Sequence, residues 1–167
     1  MDSFVTWLHA TPLSLLFQRH AHWLWPLCET LHFMGLALII GMAGFFDLRL
    51  LGVMKRIPIR ASKAFMPWAM VGFALNLTTG MVFFISEPGQ YVGNRAWWAK
   101  VCLLLVAVLN VIVFETTLSP KVLTLGPDDD TPTSVKIVGA VSLISWIGVL
   151  YCGRMLPFID ASVEGSL

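Results

Sequence analysis

The chain has 167 residues, a formal net charge of +1 and a mean hydropathy of +0.77, with 57% hydrophobic and only 13% charged residues. An average soluble domain carries about 25% charged residues, so this composition points to an integral membrane protein in a lipid bilayer. It offers no basic stripe for a nucleic-acid partner and leaves no room for a soluble domain beside several spanning helices.

Residues 2–19 read as amphipathic. Thr11 suits an N-cap and Pro12 the first helical position after it. Phe4, Trp7, Leu8, Leu15 and Leu16 supply an apolar side, with Gln18 and Arg19 polar, which predicts an interfacial helix lying along a membrane surface. The first span is predicted at about 22–46, since roughly 20 nearly uncharged residues cross a bilayer as a helix. Pro26 is expected to kink it near its outer end. The loop 47–64 contains Arg49, Lys55, Arg56, Arg60 and Lys63. Asp47 and Arg49 there are expected to pair locally.

The second span is predicted at about 65–86, with Asn76 at mid-depth, and a turn-rich segment follows to Arg95. The third, about 97–118, opens on Trp97, Trp98 and Lys100 and contains Asn110 and Glu115. Gly126-Pro127 and Asp128-Asp129-Asp130 break the chain in the loop 119–134. The fourth span, about 135–157, closes on Tyr151, Arg154 and Pro157. The expected fold is all-α: one transmembrane domain, a four-helix bundle with an amphipathic N-terminal helix. Asn76 and Asn110 are expected to join helices by hydrogen bonds. Cys28, Cys102 and Cys152 lie in apolar runs and read as small buried thiols.

Orientation follows from basic residues, which favour cytoplasmic loops. Arg49, Lys55, Arg56, Arg60, Lys63, Lys121 and Lys136 fall on one side; Arg19, Arg95, Lys100 and Arg154 fall on the other. The balance predicts a bacterial inner-membrane protein with both termini in the periplasm. Trp23, Trp25, Trp97 and Trp98 would form an interfacial belt on that side.

Two pieces of sequence, Trp25-Pro26…Glu29-Thr30-Leu31-His32 and Asp47-Leu48-Arg49-Leu50-Leu51-Gly52, resemble an uncharacterised family of small bacterial four-helix membrane proteins. The resemblance continues in Pro67-Trp68-Ala69 and Gly80-Met81-Val82-Phe83-Phe84 and implies four spans, with no established activity. The architecture is also similar to small membrane b-type cytochromes and copper-resistance membrane proteins. Those cytochromes place histidines on several helices, whereas the last three spans here contain none.

The chemistry concentrates at the N-terminal end. Glu29 and His32 fall inside the first span, where an ionisable group costs about 2.5–3.5 kcal/mol and by default marks function. His22, Glu29 and His32 lie within a sector of about 80° on a helical wheel. His22 sits about 15 Å outward of His32 along the axis. Imidazole and carboxylate suit copper or haem iron, so His20, His22, Glu29 and His32 are candidate metal ligands. His22 and His32 are candidate haem ligands, Arg154 a propionate partner, and Trp97 and Tyr151 candidate cofactor contacts. The leading expectation is a membrane redox or metal-binding protein for electron transfer. It would hold haem b, copper or both in its periplasmic half and serve a periplasmic redox partner. One copy of the Glu-x-x-His spacing also predicts a homo-oligomer, whose symmetry would supply missing ligands. The alternative is a metal-free membrane accessory or transport subunit in which Glu29–His32 is a proton relay or packing pair. No nucleotide loop, nucleophile triad or Cys-x-x-Cys defines a reaction.

Overall fold

The computed structural model describes residues 2–159, and every regular element within them is helical. Helix α1 (Asp2–His9) leads into α2 (Pro12–Leu38). Thr11 makes the junction as expected: its hydroxyl accepts from the Ser14 N–H at 3.4 Å and donates to the Leu8 carbonyl at 2.7 Å. The bend in α2 falls at His20 (φ −120°, ψ 22°) and not at Pro26, which stays within regular helix. Contacts at the N-terminal arm explain the shift. Ser14 and Phe17 are buried, and the Ser14 hydroxyl faces the Ser86 carbonyl at 3.5 Å. The arm is thus docked on another helix, and the backbone turns where docked arm meets free helix.

Helix α2 runs on through a wide π-turn, Ile39–Ala43, into α3 (Gly44–Leu50). The chain continues with α4 (Ile59–Lys63), α5 (Met66–Ser86), α6 (Pro88–Val92) and α7 (Arg95–Val113). A second π-turn, Phe114–Leu118, leads to α8 (Ser119–Val122) and then α9 (Thr133–Ile159). Four helical runs are long and apolar enough to cross a bilayer: Pro12–Leu50, Ile59–Ser86, Arg95–Val122 and Thr133–Ile159. The first outruns its predicted end, because Asp47 and Arg49 remain helical and buried.

Helix α2 lies along α5 and α7 along α9, giving two hairpins, and α3 crosses onto α9 to join them. An apolar cluster of Ile39, Ala107, Trp146 and Val149, backed by Phe73, fills the middle. A second, of Phe46, Leu50, Ile59, Phe114, Val122 and Val135, closes the end that carries the basic loops. The α2–α5 crossing is set by Gly35 and Gly72: a Cβ on Gly72 would sit 2.7 Å from the Gly35 carbonyl oxygen. Small residues at a crossing let helix backbones touch. Asn76 Nδ2 donates to the His32 carbonyl at 3.1 Å, and Asn110 Nδ2 to Val138 at 3.0 Å, so both asparagines join helices.

Asp47 and Arg49 do not pair. Arg49 Nε donates to the Ile57 carbonyl, while Asp47 lies beside Ser142 of α9. Residues two apart on a helix face different neighbours, which is why the local pair fails.

Candidate functional site

The site is built at the end where α2 emerges from its bend, opposite the basic loops. His32 points into the α2–α5 seam, with Nδ1 2.7 Å from Thr79 Oγ1. The Thr79 hydroxyl has a single proton, and it donates that proton to Leu75 O at 2.7 Å, one helical turn back. With that proton on Leu75 O, Thr79 accepts from His32, which puts the imidazole proton on Nδ1 and the lone pair on Nε2; a Thr79 proton turned to Nδ1 gives the other tautomer. The ring packs 5.5 Å from Phe83. Gly80 leaves room at the ring, since a Cβ there would come only to 3.8 Å of His32 Cε1.

The second member comes from the other hairpin. Lys100 of α7 is partly buried, and its ammonium lies over Gly153 of α9, 3.6 Å from where a Cβ would be. It is the charged group that acts on His32. The described ion pairs join Lys55 and Lys136 to Asp130, and Lys63 to Glu115; Lys100 is in none of them. An imidazole of one hairpin thus lies within the field of an ammonium of the other, which has no carboxylate in the described ion pairs.

The remaining candidates do not join this pair. Glu29 is exposed and accepts from Trp25 Nε1 at 3.2 Å, one turn earlier on the same helix. Its charge acts on Tyr91 of α6: burial raises that phenol above its ordinary range, and Glu87 and Glu29 raise it further. The expected Glu29–His32 pair is not made. Three residues of helix separate the two directions by about 60°, enough to put one in the seam and the other outside it. His22 is exposed, and His20, at the bend, is exposed with its ring 6.1 Å from Trp23. Among the described residues no three His, Cys, Asp or Glu side chains converge to hold a metal ion, so His20, His22, Glu29 and His32 form no such set within one chain. The helical rise that spreads them along α2 is the cause.

Trp97 is half-buried and stacks on Phe84 of α5 at 5.1 Å and 10°, bridging the hairpins. Tyr151 and Arg154 are exposed on α9. Of the two candidate haem ligands, His32 has Nδ1 held by Thr79, as a ligating histidine's second nitrogen is held, whereas His22 is exposed. Sequence reasoning missed Thr79. The signal was available in its spacing from Asn76, which places these two polar groups on the face of α5 that meets α2.

These elements define a class: a four-helix bundle of membrane-spanning dimensions with one ionisable side chain, His32 and Lys100, set into each of its hairpins. The chain belongs to a family of unknown function (DUF6644), which it matches over residues 4–159. No curated protein and no solved structure matches it.

Proposed function

We propose that the four helices cross a bacterial inner membrane and that the chain is an accessory or transport subunit working through His32 and Lys100. The distribution of basic residues supports both termini on the periplasmic side. One observation carries the reading: Nδ1 of His32 is held by Thr79, leaving the Nε2 lone pair for a proton or a substrate donor. Lys100, without a carboxylate in the described ion pairs, adds a fixed positive charge where charge is costly. The pair suits a proton or a small anion handled in a water-poor interior. Lys100 takes the place of Glu29 as the charged group that acts on His32.

Proteoliposomes with an entrapped pH dye test this under an imposed membrane potential. The full chain moves protons faster than empty vesicles, His32→Ala and Lys100→Met slow it at least tenfold, and Glu29→Gln leaves it unchanged. Flux no faster than empty vesicles, or equal in His32→Ala, overturns the reading.

A second reading, a haem b protein of the electron-transfer class, is favoured by the same fixed imidazole. His32 of this chain and of a second copy would hold the haem, and a periplasmic partner would exchange electrons with it. Haem would supply one-electron chemistry. The absorption spectrum of the detergent-purified chain separates the readings: a Soret band lost in His32→Ala supports haem, and a colourless active protein removes it. Copper has no converging ligand set among the described residues to support it.

A further inference from the structure

Arg49 is wholly removed from solvent, at 0% exposure, and is the largest side chain so placed among the described residues. Its Nε donates to the Ile57 carbonyl, while Nη1 and Nη2 are buried and meet no hydrogen-bond partner. A buried guanidinium with unused donors is costly and calls for an anion within reach of its field; on its own helix that is Asp47, whose Oδ2 is likewise buried without a hydrogen-bond partner.

The loop above it has an unusual form. Gly52 takes φ +86°, a conformation side chains resist, and its N–H donates to Arg49 O at 3.1 Å. On its far side, Gly52–Ile57 and Asp128 line a cavity of about 470 Å³. The Asp128 N–H donates to Lys55 O at 2.9 Å and holds the 123–132 connection against the loop. By drawing the Ile57 carbonyl inward, Arg49 turns that oxygen toward itself, so it does not oppose an anion outside.

Charge favours the same occupant. Arg56 is exposed and belongs to none of the described ion pairs. Lys55 and Lys136 share the single carboxylate of Asp130, at 3.1 and 2.9 Å. Asp129 is turned into its own bend, accepting from Gly126 N at 2.8 Å. Asp128 is the acidic residue in the wall itself. The wall of the cavity itself thus carries two basic residues, Lys55 and Arg56, against one acidic residue, Asp128.

We propose that this loop cavity binds a phosphate-bearing anion, a phospholipid headgroup or free phosphate, through Lys55 and Arg56, with Arg49 as the positioning residue beneath. Its place at the end of four apolar helices puts it at headgroup depth.

Native mass spectrometry of the full chain from phosphatidylcholine nanodiscs doped with phosphatidylglycerol tests the lipid arm, and melting with inorganic phosphate the free-anion arm. Retention of one phosphatidylglycerol identifies a lipid site; stabilisation by phosphate without lipid retention identifies a free-anion site. Lys55→Gln with Arg56→Gln lowers either response at least tenfold, whereas Arg19→Gln with Lys121→Gln, an equal change of charge elsewhere, leaves it intact. Arg49→Lys is read by the anion-induced rise in melting midpoint, which falls toward that of the cavity double variant. Absence of both responses, or equal loss in the two double variants, overturns the proposal.

Discussion

Replacing Gly72 by alanine tests the seam that holds His32 in place. A Cβ at this position would lie 2.7 Å from Gly35 O, 2.8 Å from Leu38 Cβ and 3.1 Å from Ile39 N. Two of these are backbone atoms of the facing run, so no rotamer change relieves the overlap. The helices must separate. Overpacking of this kind costs about 1–3 kcal/mol. Separation also stretches the Asn76–His32 carbonyl bond, now 3.1 Å, and the His32–Thr79 contact, now 2.7 Å. Polar contacts of this kind between membrane helices are worth about 0.6 kcal/mol each. Alanine restores up to about 1 kcal/mol through its better helix propensity. The net expectation is a loss of about 2 kcal/mol. Gly41→Ala is the matched control, because a Cβ there meets nothing within 4 Å. Equilibrium unfolding in mixed detergent measures both. Equal stability of Gly72→Ala and Gly41→Ala would refute the close approach of α2 and α5 and the placement of His32 that depends on it.

Thr79→Val keeps the shape but removes the acceptor of His32, and is expected to cost about 0.6–1.7 kcal/mol in the same unfolding assay. Asn94→Ala removes the α7 cap, in which Oδ1 accepts from Ala96 N at 2.9 Å, and the bond from Nδ2 to Leu156 O at 3.0 Å. A loss of about 1–2 kcal/mol is expected on thermal or denaturant unfolding. Asp130 is held at about 2, below the ordinary carboxylate range, by hydrogen bonds from Lys136 and Lys55. Its folded pKa is depressed, so its stabilisation is present above about pH 4 and is lost as pH falls through about 2. Asp130→Asn is therefore less stable than the parent at neutral pH, with the difference closing by about pH 2 in a pH series of unfolding curves.

The four long helices were legible because hydropathy reports directly on what apolar length requires. Their ends were less so. The apolar run stops at Asp47, but the helix continues because Arg49 finds the Ile57 carbonyl, a partner that lies off its own helix. Pro26 marked a kink by local rule, yet the bend follows the docking of Ser14 and Phe17 and falls at His20. At the site, residue type pointed to His32, but the helical wheel gives only direction about its own axis. Its partner Thr79 lies 47 residues away, on a helix whose register sequence spacing does not set. Lys100 was visible as an end-of-span charge; that it turns inward over Gly153 depends on a missing side chain on a fourth helix. The grouping of His20, His22, Glu29 and His32 failed because closeness in sequence was read as convergence in space.

The account rests on His32 being set apart from the other histidines and facing Lys100. Nitrogen-labelled histidine spectra of the full chain in lipid, recorded with and without a membrane-impermeant paramagnetic ion, address this directly. The prediction is that the ion broadens the signals of the exposed His20 and His22 and spares that of His32. That signal disappears in His32→Ala and shifts in both Thr79→Val and Lys100→Met. A His32 signal broadened like the others, or indifferent to Lys100→Met, contradicts it.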